Sequence, residues 1–186
     1  MNIPLYITLF RILCVPGLVI LLLTPFKGHE FWALAVFVVA ALSDIADGVL
    51  ARKTKVTSTA GALLDPIADK LLISSAFICL VELGTVSAWI VVIIIGREIA
   101  MTGFRAIASS RGHHIASSPY GRLKMWVESI TIGFMILGPD ILGDAYIVAR
   151  IGIWVVLGVV IFSAVEYFIR YGRLVLSDHG NSDNSI

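Results

Sequence analysis

Charge is scarce in this sequence. Lys and Arg number 14 and Asp and Glu number 13, so only 15% of the 186 residues are charged. Soluble domains carry about 25% charged residues, whereas this chain is 58% hydrophobic with a mean hydropathy of +0.94. The shortage of charge excludes an ordinary soluble domain and, outside a short polar tail, a disordered chain. The composition instead indicates a protein that lies in a lipid bilayer.

Cysteine is scarce as well. Cys14 and Cys79 are the two cysteines, and they lie in separate apolar segments without a metal-binding spacing. A disulfide framework and a zinc site are therefore not expected, and we predict two buried thiols that act as small apolar side chains. The formal net charge of +1 identifies no class of partner.

Long apolar runs, in contrast, occupy most of the chain. Six runs approach or exceed the length of about 20 residues that a membrane-spanning helix needs. They cover residues 7–23, 31–51, 65–83, 87–108, 121–137 and 146–171, and turn-forming residues separate them. We therefore predict an all-α integral membrane protein, a bundle of six transmembrane helices. It forms one domain over residues 1–176, followed by a polar, disordered tail over residues 177–186.

The basic residues are distributed unevenly between the two ends of these predicted spans. Of the 14, eleven fall on the side that carries both termini and two on the opposite side, while Arg97 lies within the fourth span. Because basic residues mark the cytoplasmic side, we expect both termini and the aspartate-rich region described next to face the cytoplasm.

Four aspartates interrupt the apolar pattern between the second and third runs. Asp44 and Asp47 share one helical face with Ala51, and Asp65 and Asp69 are one turn apart. Asp65-Pro66 resembles an N-cap followed by proline at the first helical position, which predicts that the third helix begins there. A basic loop over residues 52–60 would then join the two acidic helix ends.

Helix stability does not explain this arrangement. The helix dipole favours Asp65 near an N-terminus but opposes Asp44 and Asp47 near a C-terminus. Carboxylates near a bilayer need a compensating charge, and oxygen ligands without thiols favour Mg²⁺ or Mn²⁺. Two such ions about 3.5–4 Å apart could clamp a diphosphate. The alternative, ion pairs of the aspartates with Arg52 and Lys70, leaves more carboxylates than cations.

Nearby residues fit a phosphate-containing ligand. Gly48 and Gly61 would let a ligand approach the backbone closely, although small residues also serve helix packing. Arg52 offers a planar guanidinium suited to bidentate phosphate binding.

These residues resemble the signature of the CDP-alcohol phosphotransferase family of membrane enzymes. The matching residues are Asp44, Asp47, Gly48, Ala51, Arg52, Gly61, Asp65 and Asp69. Further segments resemble the branch that forms phosphatidylglycerophosphate, among them Asn2-Ile3-Pro4 with Thr8 and Arg11, Arg97-Glu98, and residues 121–124. The chain departs from that branch at Leu5, Arg122 and Met125, which concerns the details of acceptor binding.

The resemblance implies a role for each group of residues. The implied ligands of two divalent cations are Asp44, Asp47, Asp65 and Asp69. Asp69 is also the implied general base. The implied CDP-binding residues are Asp44, Gly48, Ala51, Arg52 and Gly61. The implied binding residues for the acceptor phosphate are Arg105, Arg122, Lys124 and Arg97. From the residues alone, an ion pair of Arg97 with Glu98 or an aspartate is as good an interpretation, and Lys124 is an obvious partner for Glu128.

The implied activity is metal-dependent transfer of a phosphatidyl group from CDP-diacylglycerol to sn-glycerol 3-phosphate. The resemblance also implies a homodimer in the bacterial inner membrane. Two alternatives stay open: another acceptor alcohol such as inositol phosphate, serine or a phospholipid, and a cation transporter that uses the aspartates as an ion site.

Overall fold

The computed structural model describes residues 3–54, 59–110 and 119–176. Within these ranges the chain forms six α-helices and no β-strand. They are α1 (Ile3–Leu23), α2 (His29–Thr54), α3 (Thr59–Glu82), α4 (Ala88–Ser110), α5 (Pro119–Leu142) and α6 (Ile147–Leu176), with a short 3-10 helix at Gly143–Tyr146. Each helix coincides with one predicted apolar run, so the all-α fold class is confirmed. The predicted tail over residues 177–186 lies outside the described residues.

The predicted start of α3 is wrong. Asp65 is not an N-cap, because α3 begins six residues earlier, at Thr59, and includes Gly61. Pro66 lacks only the N–H that would bond to the carbonyl of residue 62, and the Ala- and Leu-rich stretch before it still forms helix. The predicted loop over residues 52–60 is correspondingly shorter, since α2 continues to Thr54.

A kink interrupts α5 where the sequence predicts the fifth span to end. Gly138 has φ 68° and ψ 174°, outside the helical region, and Pro139 follows it. Glycine adopts a positive φ at little cost, and proline offers no donor to continue the helical pattern. The break after Leu137 is therefore real, but the chain resumes a helical course to Leu142.

The helices pack around one apolar core. α1 packs mainly on α2 and α3, α5 packs on α6 and α2, and α4 packs on α6 and α3. The largest buried apolar side chains include Phe37, Phe77 and Ile132. α5 and α6 approach closely at Gly152, where an added Cβ would lie 2.7 Å from Thr131 Oγ1. Small residues at a helix contact allow such a close approach.

The outside of the bundle is apolar as well. Every helix exposes large apolar side chains, for example Leu13, Trp32, Ile78, Val92, Trp126 and Ile169. By length and composition, two stretches of the described residues could cross a membrane, Tyr6–Leu23 and Lys124–Glu166, and His29–Ser43 is a shorter apolar helix. These features support a membrane protein, while the count of six spans and their orientation stay predictions.

Candidate active site

Helices α1, α2, α3 and α5 enclose a groove of about 730 Å³. Its walls are almost entirely apolar, with Leu34, Phe37 and Leu72 among the side chains that line it. Among the residues whose side chains the structure describes, Arg11 and Asp69 are the charged ones in its wall. From the course of the helices, Leu34 and Leu137 lie toward one end of the groove, and Leu42, Asp69 and Met125 lie toward the other. The groove therefore combines a long apolar section with one charged end.

Asp69 is the one predicted metal ligand whose side chain the structure describes. It is partly buried, and it lies one turn after Asp65 on α3. Asp44 and Asp47 lie one turn apart near the C-terminal end of α2, but the side chains of Asp44, Asp47 and Asp65 lie outside the described part. The described residues, which include only Asp69 of the four predicted ligands, contain no group of three His, Cys, Asp or Glu that could hold a metal.

The other residues of the motif stay predictions. Gly48, Ala51 and Arg52 belong to the last turns of α2, and Gly61 belongs to the first turn of α3. Only their positions in these helices are described, because the side chains of residues 44–63 lie outside the described part.

Arg11 is a feature of the groove to which the sequence assigned no role beyond topology and resemblance. Its side chain has no exposed surface, and its Nε donates a hydrogen bond to Ser43 Oγ at 3.4 Å. Ser43 in turn donates to the carbonyl of Ala40 at 2.7 Å and directly precedes Asp44 in the chain. The sequence does contain a signal that could have identified it, because Arg11 is a lone cation inside the apolar run of residues 7–23, where a charge usually faces the interior of the bundle.

A second group of charges lies between α4 and α5, and we call it the α4–α5 charge cluster. It consists of Arg97 and Glu98 on α4 and Lys124 and Glu128 on α5. Arg97 Nη1 donates to Glu98 Oε1 at 2.6 Å, Lys124 Nζ donates to the same oxygen, and Lys124 Nζ lies 3.1 Å from Glu128 Oε2. Arg97 Nη2 also donates to Ser163 Oγ on α6 at 2.8 Å. Of the ion pairs left open for Arg97, the structure forms the one with Glu98, and the predicted pair Lys124–Glu128 is confirmed.

The remaining candidates for the acceptor phosphate are only partly described. Arg105 lies farther along α4 than Glu98, and Arg122 lies in the first turn of α5, just before Lys124. Both side chains lie outside the described part. Of the four predicted residues, the structure therefore brings together Arg97 and Lys124, through Glu98.

Comparison with known proteins identifies the class to which this fold and site belong. Residues 1–165 match the family model described as CDP-alcohol phosphatidyltransferase. The chain belongs to the CDP-alcohol phosphatidyltransferase family, as its aspartate motif predicts.

Similar proteins with curated names agree with that assignment. The CDP-diacylglycerol–glycerol-3-phosphate 3-phosphatidyltransferase of Bacillus subtilis is 35% identical over 182 residues, covering 90% of this chain and 93% of that protein. The protein of the same name from Haemophilus influenzae is 35% identical over 137 residues, covering 71% of this chain and 74% of that protein. The probable phosphatidylglycerophosphate synthase of Mycobacterium tuberculosis is 33% identical, covering 91% of this chain and 81% of that protein.

Proposed function

We propose that this protein transfers the phosphatidyl group of CDP-diacylglycerol to sn-glycerol 3-phosphate. The products are CMP and phosphatidylglycerophosphate. The observation that carries the proposal is an apolar groove lined at one end by Asp69, the last residue of the aspartate motif, in a member of the CDP-alcohol phosphatidyltransferase family. The relatives named for this reaction support the choice of acceptor.

The groove is suited to hold an acyl chain of the donor. Its apolar section, from Leu34 to Leu42 on α2 and from Met125 to Leu137 on α5, would surround the chain with apolar side chains. Since lipid tails are as apolar as these side chains, the groove would position the acyl chain by its shape and would not draw it in by burial from water. An acyl chain along this groove would bring the donor's diphosphate toward Asp69 at the charged end.

The donor set of the motif fits divalent cations. Its four predicted ligands are carboxylates, the oxygen ligands that Mg²⁺ and Mn²⁺ prefer. Asp44, Asp47, Asp65 and Asp69 would hold the ions. When bound, such ions neutralise the diphosphate and improve CMP as a leaving group. Gly48, Ala51, Arg52 and Gly61 would surround the CDP portion, as the family resemblance implies.

Asp69 would act as the general base. It would accept the proton of the acceptor's primary hydroxyl as that oxygen attacks the phosphorus attached to diacylglycerol. The bond from this phosphorus to the bridging oxygen of the diphosphate breaks, and CMP leaves with the bonding electrons. Arg105, Arg122, Lys124 and Arg97 would form the basic region for the acceptor's phosphate.

The proposal includes the placement of the protein in the membrane. The six helices would span the bilayer of a bacterial inner membrane, with both termini and the active site on the cytoplasmic side. The bias of basic residues and the exposed apolar side chains of every helix support this topology. A homodimer follows from the family resemblance alone.

Release of CMP from purified protein tests the reaction. We expect release that requires CDP-diacylglycerol, a divalent cation and glycerol 3-phosphate, and that stops when a chelator removes the cation. Asp69→Asn should lower the rate by about 10²-fold or more, the usual contribution of a general base. Release only with a different alcohol would contradict the proposed acceptor. No release with any alcohol, from protein shown to be folded, would contradict the reaction and favour a cation transporter.

A further inference from the structure

Glu98 is the centre of the α4–α5 charge cluster. Its Oε1 accepts from both cations, Arg97 and Lys124, whereas Glu128 pairs with Lys124 alone among the described residues. The cluster is neutral, with two cations and two carboxylates, and Lys124 and Glu128 have side chains only 3% and 4% exposed. Charges this deeply buried are costly without partners. If Glu98 lost its charge, two buried cations would share a single carboxylate.

The Lys124 ammonium is held near α4 by an ion pair and not by close packing of α5 against α4. In the described ranges, α4 and α5 are not among the closely packed pairs of helices, although both pack on α6. The ion pair between Glu98 and Lys124 therefore bridges a gap between two helices. Ser163 accepts a hydrogen bond from Arg97 and so links Arg97 to α6, but it does not contact Lys124.

Lys124 retains the capacity for a further ligand. An ammonium group has three N–H donors, and its contacts in the described part of the chain are Glu98 and Glu128. Glu128 keeps Oε1 buried and without a hydrogen-bond partner in that same part. Lys124 directly precedes Met125, which lines the groove together with Asp69. The cluster thus borders the charged end of the groove.

We infer that Glu98 is a positioning residue for the acceptor, which holds the Lys124 ammonium where the phosphate of glycerol 3-phosphate binds. The inference rests on the proposed function, because it takes Lys124 as a contact of that phosphate. Glu98 itself does not touch the acceptor. Its carboxylate orients one N–H of Lys124 and leaves another N–H for the phosphate, so its effect is confined to acceptor binding.

Steady-state kinetics of the Glu98→Gln variant test this inference. The purified variant should raise the KM for glycerol 3-phosphate about tenfold, which equals about 1.4 kcal/mol. The KM for CDP-diacylglycerol and the kcat should stay within about twofold of the wild type. A purely structural role for Glu98 would instead change both KM values or lower the kcat.

Ser163→Ala is the matched control. It removes a contact of Arg97 but none of Lys124, so any rise in the KM for glycerol 3-phosphate should be clearly smaller than in Glu98→Gln, and the other two parameters should stay within about twofold of the wild type. A double-variant cycle gives a second test. Once Lys124→Met has raised the KM for glycerol 3-phosphate, adding Glu98→Gln should raise it less than twofold more, because the two residues act as one unit.

The outcomes separate this inference from the proposed function. Wild-type protein that releases no CMP with glycerol 3-phosphate would contradict the proposed function. With an active wild type, an unchanged KM for glycerol 3-phosphate in Glu98→Gln would overturn the inference alone, as would equal effects of Ser163→Ala and Glu98→Gln. If Glu98→Gln does not fold, Glu98→Asp replaces it. This variant keeps the charge on a shorter side chain, so it should raise only the KM for glycerol 3-phosphate, and any other pattern overturns the inference.

Discussion

At the scale of single residues, the buried charges distinguish this protein from an inert apolar bundle. Arg11 is fully buried beside the groove, and Lys124 is almost fully buried between two carboxylates. The Lys124–Glu128 pair could be predicted from the sequence, because residues four apart meet on one helical face. The Lys124–Glu98 and Arg11–Ser43 contacts could not, because they join residues 26 and 32 positions apart. Such contacts depend on how whole helices are rotated and packed.

Met125 departs from the family pattern, and the structure shows where its side chain lies. In the sequence it is a departure from the family branch, where a threonine with its hydroxyl is usual, and it lies beside the acceptor residues. In the fold its side chain lines the apolar groove near the end that carries Asp69. The substitution therefore extends the apolar wall, which affects the proposed donor site as well as the acceptor site.

Two neighbouring valines allow a matched test of the groove. Val38 lines the groove, whereas Val39, the next residue on α2, is more than half exposed and does not line it. Val38→Trp should raise the KM for CDP-diacylglycerol about tenfold, because the larger side chain would fill space in the groove that the acyl chain needs, and overpacking costs about 1–3 kcal/mol. Val39→Trp should leave this KM within about twofold, and the KM for glycerol 3-phosphate should change in neither variant. Equal effects of the two variants on the donor KM would exclude the groove as an acyl-chain site.

At the scale of helices, the apolar runs predict the number of elements well and their ends less well. Run lengths and the turn residues between runs are local properties, so all six helices are found where they are expected. The start of α3 was misplaced because Asp65-Pro66 also fits a helix interior when the preceding residues favour helix. This correction leaves Asp65 and Asp69 one turn apart, so the prediction that they share a face is unaffected.

The contact between α5 and α6 offers a test of helix packing. Gly152→Ala would place a methyl group 2.7 Å from Thr131 Oγ1, and we expect overpacking to destabilise the protein by about 1–3 kcal/mol. Thermal unfolding in detergent measures the effect. Gly158→Ala, also on α6, meets nothing within 4 Å and should be neutral or slightly stabilising. Adding Thr131→Ala to Gly152→Ala should restore stability, and no recovery would show that the clash is not the cause.

At the scale of the whole molecule, the described helices carry large apolar side chains both in the core and on the outside of the bundle. The groove ends at Asp69, and the α4–α5 charge cluster lies beside it. The membrane is thus the expected surroundings of the exposed apolar side chains, while Arg11 and the α4–α5 charge cluster lie inside the bundle. This arrangement would let a lipid donor enter from the bilayer and a phosphate-bearing acceptor enter from water.

Labelling of single cysteines tests the proposed topology. In a variant whose two native cysteines are replaced by alanine, Lys27→Cys in the turn between α1 and α2 should react with a membrane-impermeant maleimide in intact spheroplasts. Ser177→Cys, beyond α6, should react only after the membrane is opened, because basic residues keep that side cytoplasmic. The reverse pattern would invert the topology, and labelling of both sites in intact spheroplasts would contradict an even number of spans.

The sequence by itself determined the fold class, the six helices and the family of this protein. Those properties follow from run lengths, turn residues and the spacing of a local motif, which need no knowledge of how distant segments meet. The tertiary structure decided that Asp69 ends an apolar groove and that Glu98 holds two cations from different parts of the chain. These features arise because packing sets the rotation of each helix, and rotation selects which side chains face one another.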